Sequence, residues 1–376
     1  MKILLTGGGT GGHFYPLIAI AEELNELSNK EKIVTLKLYY MSDAPYDKRM
    51  LFENGITYVQ IPAGKMRTYF SLKNFFDIFS TITGCFFGLI SMFFIYPDVV
   101  ISKGGYAAFP AVFAARFLRI PVIMHESDSY PGRLNVWTAK FAKRVAVSWP
   151  EAGDYLPKGK TVLTGQPIRK ELLNTNPEGA HEAFNLVSGL PVILVVGGSL
   201  GAELINNSIL EILPQLLSRY QVIHQTGPKN IEDVVSRSKL IMENNPYLAR
   251  YVPVPYLSTL MTRQASGIAS LIISRAGSSI FEIAAWGIPS IIIPRSLEIS
   301  NGDHQKKNAF NYARTGAAEV IEESNLTPHV LIAEVDRLMS DPEKLATMKK
   351  NALAFATPDA AAKIAEAALE IALSHQ

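Results

Sequence analysis

Cysteine is nearly missing from this chain: Cys85 is the only one among 376 residues. That excludes an internal disulfide and a cysteine-based zinc site, and it fits a reducing compartment. An excess of one charge is missing too. Thirty-six Lys and Arg face 34 Asp and Glu, a net charge of +2, whereas a dedicated nucleic-acid binder carries a strong basic surplus. There is no Asp-x-Asp motif and no close pair of histidines, so Glu126-x-Asp128 is not a convincing metal site. No apolar leader with a small-residue cleavage site precedes the first strand-like run, and the expectation is a cytosolic protein.

What the chain does have is glycine at strand ends. Ile3-Leu4-Leu5-Thr6 reads as a strand and empties into Gly7-Gly8-Gly9-Thr10-Gly11-Gly12-His13, ahead of a helix expected over Leu17–Leu27. Backbone N–H groups at a helix start lack internal partners and sit at the positive end of the macrodipole, so such a loop suits phosphate. His13 sets a titratable ring beside it. The plain alternative is a tight turn using glycine for backbone freedom alone. No Lys-Ser or Lys-Thr follows, which excludes a Walker loop. The spacing Gly7-x-Gly9-x-x-Gly12 satisfies the dinucleotide fingerprint, but the acidic residue that should close the second strand is displaced to Asp43.

Strand-like and helix-like runs alternate throughout, the signature of an α/β fold with parallel sheets. Strands are expected at Ile3–Thr6, Val34–Met41, Val99–Ser102, Val122–Glu126, Arg144–Val147 and Thr161–Leu163. The pattern pauses near Gly165-Gln166-Pro167-Ile168-Arg169. It restarts at Pro191–Val196 with a second glycine loop, Gly197-Gly198-Ser199-Leu200-Gly201-Ala202, and a helix over Glu203–Leu217. Strands at Gln221–Gln225, Leu271–Ser274, Ser290–Pro294 and Ala318–Ile321 complete the second half. The 376 residues suit two domains, expected at 1–164 and 165–358. The last helix, about 359–376, is a candidate to cross back to the first. Two doubly wound halves offer two ligand-binding sheet edges, which facing each other would form a cleft.

Further constellations lie at strand ends. Lys103-Gly104-Gly105-Tyr106 follows one strand of the first half, and His125-Glu126-Ser127-Asp128 ends another. A histidine and two carboxylates there could orient hydroxyls or move protons, while His125 alone reads as structural. In the second half Ser274-Arg275-Ala276-Gly277-Ser278-Ser279 follows a strand, with Ser278 or Ser279 as a natural helix N-cap. The helix start and Arg275 would suit a diphosphate and Glu282 could accept from ribose hydroxyls, the plain alternative being a capped amphipathic helix with Glu282 in solvent. Asp303-His304-Gln305-x-x-Asn308 offers amides for sugar hydroxyls.

One run departs from an ordinary soluble chain. Ile78–Tyr96 holds no charged residue and is long enough for a membrane span. Its place between two strands of one sheet, with Gly84 and Gly88 inside it, favours a crossover helix. That helix is either buried or presents an apolar face to a membrane surface, with Lys65, Arg67 and Lys73 upstream adding attraction to anionic lipid.

Taken in order, Gly7 to His13, Gly104-Gly105-Tyr106, His125-Glu126, Gly165-x-Pro167-x-Arg169, Gly197-Gly198-Ser199-x-Gly201-Ala202, Ser274-Arg275-x-Gly277 and His304-Gln305-x-x-Asn308 resemble the MurG-type N-acetylglucosaminyltransferases of bacterial peptidoglycan synthesis, along essentially the whole chain. The resemblance implies a GT-B fold, two Rossmann-like doubly wound domains facing across a cleft. It implies inverting transfer of N-acetylglucosamine from UDP-N-acetylglucosamine to lipid-linked N-acetylmuramyl-pentapeptide, with no metal or other cofactor. It also implies peripheral attachment to the cytoplasmic side of the plasma membrane through the first domain, near other cell-wall synthesis proteins. His13 matches the base of that family, and Thr10, Gly11 and Gly12 its substrate loop. Gly104, Gly105, Tyr106, Glu126, Asp128 and Asn135 fall on the acceptor side. Arg169, Ser199, Leu257, Arg275, Ser278, Ser279, Glu282 and Gln305 fall on the donor side, with uracil at the Leu257 backbone.

The chain departs from the family pattern in several places. Asp128 and Gln166 stand where Asn is usual, and Leu200 stands where Gln is usual. The turn Gly277–Glu282 is one residue short, and the loop Arg295–Asp303 is long. Rival readings are a related transferase with another lipid acceptor such as a diacylglycerol, a non-catalytic UDP-sugar-binding scaffold, and, more remotely, a nicotinamide dehydrogenase.

Overall fold

The apolar runs at 3–6, 99–102 and 122–126 form the centre of a seven-stranded parallel sheet in a computed structural model that describes residues 1–33, 35–65, 73–198, 201–296 and 304–374. Its strands are β1 (Lys2–Thr6), β2 (Lys37–Ser42), β3 (Ile56–Gln60), β4 (Val99–Ser102), β5 (Val122–Glu126), β6 (Arg144–Val147) and β7 (Thr161–Leu163), in the order β3-β2-β1-β4-β5-β6-β7. A second, six-stranded sheet holds β8 (Val192–Val196), β9 (Gln221–Gln225), β10 (Tyr251–Val254), β11 (Ala269–Ser274), β12 (Ser290–Ile292) and β13 (Ala318–Val320), ordered β10-β9-β8-β11-β12-β13. Every strand pair is parallel. In both sheets the order reverses beside the first strand, at β1/β4 and at β8/β11, the switch points where open α/β sheets bind ligands.

The unbroken apolar strands follow from burial on both faces. Ile3, Leu5, Val99 and Ile101 point to one side, against Phe14, Leu17, Ile18 and Leu24 of helix Gly11–Lys30 and Ile364, Ala365 and Ala368 of helix Ala360–Ser374. Leu4 and Val100 point to the other, against Met92, Ala111, Ala114 and Ala115. The period of two in a strand makes this alternation obligatory.

The chain divides into two units, Met1–Lys170 with Thr357–Gln376, and Glu171–Ala356. The break falls a few residues beyond the expected 164/165 boundary, because the Gly165–Arg169 stretch stays with the first sheet. Gly165 donates its N–H to Val147 O (3.2 Å) and accepts from His125 Nε2 at 2.9 Å. Arg169 lies 4.8 Å over the Tyr15 ring, and Lys170 pairs with Glu23 at 3.2 Å and with Glu26. The C-terminal helix belongs to the first unit through the alanine-rich contact above.

Three expectations about elements need correction. The first helix begins at Gly11, not Leu17, and carries Pro16 within it. Only the Gly12 carbonyl, four residues back, loses a partner there, so His13 sits in a helical turn, not in a loop. The helix expected over Glu203–Leu217 is two, Glu203–Glu211 and Leu213–Arg219, divided where Pro214 cannot donate. Strands β3 and β10 were not foreseen. Both are edge strands of mixed polarity, and β10 contains Pro253, which only an edge tolerates. Val34 of the expected second strand lies outside the described residues.

The apolar run forms helix Lys73–Ile95. It is not a buried helix: only 17% of its most apolar window is buried. Phe76, Phe86, Phe93 and Phe94 are 61–78% exposed. Gly84, Gly88 and Met92, four residues apart and hence on one helix face, are its buried seam. A Cβ on Gly84 would stand 1.8 Å from the Pro62 carbonyl oxygen, and one on Gly88 3.2 Å from that of Pro110. The two glycines that interrupt the run are therefore what lets it dock. Gly84→Ala is expected to lower unfolding free energy by about 1–3 kcal/mol, since the backbone must move to admit a methyl. Gly159→Ala, with nothing within 4 Å of the new atom, should change it by less than about 0.5 kcal/mol. Urea unfolding of the two variants checks the contrast.

Candidate functional site

In the first unit three neighbouring strands end together at the switch point, and their loops carry the expected residues. The loop after β1 turns into helix Gly11–Lys30, with Thr10 at the N-cap position. Thr10 does not cap the helix with its hydroxyl; Oγ1 lies 2.9 Å from His13 Nδ1. The His13 and Phe14 N–H groups turn back to Thr10 O, at 3.1 and 3.2 Å. The N–H groups of Gly11 and Gly12 have no partner among the described residues, and they form the anion-ready end of the helix. In the tautomer where Nδ1–H donates to Thr10, the Nε2 lone pair of His13 is the open one. Burial lowers the His13 pKa to about 4, helped by the Lys103 ammonium and opposed by Asp128.

The loop after β4 approaches from the other side of the switch. Gly105 has φ +79°, and a Cβ there would lie 2.9 Å from Gly8 O and 3.5 Å from His13 Nε2. The close approach of two backbones, with the imidazole between them and solvent, is what glycine permits here. Gly104 is equally constrained: a Cβ would strike Asn135 Oδ1 at 2.5 Å. Tyr106 covers Gly9 and donates its hydroxyl to Asp43 Oδ2 at 2.8 Å. Asp43, too far along for a ribose contact, has become a partner of the second loop.

The β5 end corrects two expectations. Glu126 is 4% exposed, and its oxygens accept from Asp128 N (2.9 Å), Gly132 N (2.9 Å) and Asn135 Nδ2 (2.8 Å). Burial and the nearby Asp128 raise its pKa. It shapes the loop and does not present itself to a sugar hydroxyl. Asn135 is buried with it, and its Nδ2 also reaches His125 O at 3.3 Å. His125 is structural, as its residue type alone suggested: Nε2–H donates to Gly165 O, and burial with Lys103 nearby drives its pKa well down.

Sequence reasoning missed the polar cluster beneath these loops. Lys103 is 2% exposed, the only buried lysine among the described residues. Its Nζ donates to Ser127 Oγ and, at 3.5 Å, to Gln166 Oε1. Gln166 Oε1 also accepts from Ser127 Oγ at 2.9 Å and Ser148 Oγ at 3.0 Å. Desolvation lowers the Lys103 pKa to about 8 against the pull of Glu126 and Asp128. The one signal in the sequence was a lysine directly after an apolar strand and before two glycines, which does not by itself distinguish a buried lysine from an exposed one.

In the second unit the corresponding loops follow β8 and β11. Ser199 lies outside the described residues. Gln225, which sequence reasoning also missed, ties the glycine loop to Leu257: its Nε2 donates to Gly198 O at 3.0 Å and its Oε1 accepts from Leu257 N at 3.0 Å. The Leu257 N–H is thus taken, and its carbonyl accepts from Thr262 Oγ1 at 3.4 Å. Ser278 occupies the N-cap position of helix Ser279–Trp286, but with helical backbone angles and no side-chain cap bond. Glu282 is half-buried in its first turn.

Arg275 differs most from expectation. It pairs with Glu323 at 2.6 Å, both side chains largely buried, and donates to Ile293 O at 3.1 Å. Its charge is spent on holding the β11, β12 and β13 ends together, because an unpaired guanidinium there would be costly. Gln305 Oε1 accepts from Arg295 N at 3.0 Å. Most of the long loop before it lies outside the described residues.

Residues 3–147 match the model of the glycosyltransferase family 28 N-terminal domain, and residues 192–364 that of the family 28 C-terminal domain. The chain is 39% identical over 341 residues to the UDP-N-acetylglucosamine–N-acetylmuramyl-(pentapeptide) pyrophosphoryl-undecaprenol N-acetylglucosamine transferase of Lachnospira eligens, covering 90% of this chain and 91% of that one. It is 37% identical to the enzyme of the same name from Clostridium kluyveri, covering 95% and 96%. Among solved structures it is similar to Acinetobacter baumannii MurG, with 26% identity, a TM-score of 0.73, and coverage of 98% and 99%. The family's two-domain fold is the one seen here, two parallel-sheet Rossmann-like units. This chain belongs to glycosyltransferase family 28, among the MurG-type N-acetylglucosaminyltransferases.

Proposed function

We propose that the chain transfers N-acetylglucosamine from UDP-N-acetylglucosamine to a lipid-linked N-acetylmuramyl-pentapeptide, with inversion at the anomeric carbon, in peptidoglycan synthesis. The observation that carries this reading is His13. It stands in the first turn of a helix whose N–H groups suit a diphosphate, its Nδ1 is tied to Thr10, and its Nε2 is open. In the step, the muramyl 4-hydroxyl oxygen forms a bond to C1 while the C1–O bond to the diphosphate breaks. His13 Nε2 takes the hydroxyl proton, and UDP departs with the electron pair. An orienting partner on the far nitrogen of a base is the arrangement such proton transfer needs.

In the second unit, the start of helix Ser279–Trp286 offers N–H groups and a positive dipole end to the diphosphate of the departing nucleotide. Glu282 accepts from ribose hydroxyls, the Leu257 carbonyl meets the uracil edge, and Gln305 serves the sugar. Arg275 acts on these from behind, through the strand ends that it and Glu323 join.

The exposed phenylalanines of helix Lys73–Ile95 support peripheral attachment to the cytoplasmic face of the plasma membrane, where a lipid-linked acceptor resides. An exposed apolar surface of this kind on a folded unit marks a contact surface. Lys65, upstream of it, lies 5.4 Å over the Tyr106 ring. Arg67 is outside the described residues.

Three outcomes test this reading. His13→Ala should lower kcat by about 10²–10⁴-fold with UDP binding by calorimetry unchanged; full turnover by the variant overturns the assignment of the base. Activity should survive excess chelator, because main-chain amides and helix ends carry the phosphate contacts. The Phe86→Ser/Phe93→Ser variant should lose co-sedimentation with anionic phospholipid vesicles while keeping activity on a short-chain, water-soluble acceptor.

A further inference from the structure

The buried cluster around Lys103 has no part in the steps above. Its placement is nonetheless specific. The Lys103 stem passes directly behind the first glycine loop, where a Cβ on Gly7 would meet Lys103 Cβ at 3.0 Å and His13 O at 3.4 Å. Its ammonium is anchored from two further elements, by Ser127 after β5 and by Gln166 after β7. Two residues on, Gly105 lies against the His13 ring. One strand end therefore supplies both the wall of the imidazole site and a positive charge behind it. Burying an ammonium is expensive unless it is paired, yet its hydrogen-bond partners here are neutral. The acid that pulls on it most, Glu126, already accepts from Asp128 N, Gly132 N and Asn135 Nδ2.

We propose that Lys103 is a positioning residue of the acceptor site, whose ammonium, fixed by Ser127 and Gln166 behind the glycine loop, sets the electrostatic field in which the His13 imidazole and an anionic acceptor group meet. This rests on the transferase reading only for the identity of that anion, a diphosphate. The reasoning is Coulombic. A diphosphate arriving at the Gly11 and Gly12 N–H groups brings negative charge beside His13, which favours the protonated, idle imidazolium. A fixed cation behind the loop opposes that protonation and attracts the anion at the same time. The charges facing His13 are Lys103 after β4 and Asp128 after β5; those facing Lys103 are Glu126 and Asp128, with the buried His125 ring, held neutral, also within its field. On the far side of the loop, Asp43 is committed to Tyr106.

The signs follow. Removing the ammonium raises the His13 pKa from its value near 4 toward the ordinary histidine value, so the acid limb of kcat moves to higher pH. Lys103 itself loses its charge as pH rises through about 8, so kcat/KM for the acceptor should fall above that point in the parent protein.

The test compares Lys103→Met and Lys103→Arg with the parent. Histidine side-chain NMR, with the His13 resonance assigned by loss in His13→Ala, is read without any substrate. Lys103→Met should raise the His13 midpoint by about one pH unit or more and move the acid limb of kcat the same way. Lys103→Arg, which stays charged, should restore the low midpoint and abolish the alkaline fall in kcat/KM. A His13 midpoint unchanged in Lys103→Met overturns the proposal, as does an alkaline limb that persists in Lys103→Arg. Should Lys103→Met not fold, judged by its thermal transition, the arginine variant decides alone. Failure of the transferase reading would show as absent turnover in every protein, while the NMR midpoints would still report on Lys103.

Discussion

The first unit depends on how closely two loops can approach at the carboxyl edge of a parallel sheet. The β1 and β4 loops emerge from adjacent strands, and the hydrogen-bond spacing between those strands leaves no room for side chains between the loops. Gly8 and Gly105 meet there backbone to backbone, and His13 projects over the junction from the first helical turn. Everything chemical in this unit follows from that contact. The imidazole is held by a neighbour within its own turn, the helix N–H groups stay unfilled, and the space below the loops must be closed by other residues.

Those residues form the second layer of the site. Lys103, Ser127, Ser148 and Gln166 share one buried set of hydrogen bonds, and Glu126 with Asn135 organises the β5 loop beside it. Such networks specify one arrangement because every unmet polar group in a low-dielectric interior is penalised. The second unit solves the same problem differently. Arg275 and Glu323 neutralise each other beneath the strand ends, and Gln225 links the glycine loop to Leu257. One unit keeps a buried cation with neutral hydrogen-bond partners; the other pairs its cation with an acid.

The apolar helix follows the same logic of close approach on a different face. Its docking needs only one seam of small residues, so the remaining surface of the helix is free to be apolar without destabilising the unit. A folded unit that exposes this many phenylalanines on one helix presents a surface suited to an interface of lower polarity than water.

Periodicity and glycine spacing by themselves determined most of the architecture. Apolar runs buried on both faces read as central parallel strands and the glycines following them as close turns, so both halves and the family resemblance were legible, whereas the start of the first helix at Gly11, which places His13 in a helical turn, was not. The edge strands β3 and β10 were not, because half-exposed strands of mixed polarity have no distinct pattern. Nor was the fate of the charged residues. Glu126 and Arg275 have the right chemistry for ligand contact, and only the fold engaged them with Asn135 and Glu323 instead. Lys103 reads as an ordinary loop lysine until three strand ends close over it. Local composition sets which groups are available, but whether a charge meets a ligand, a partner or the interior depends on residues far away in the chain, and tertiary structure alone brings those together.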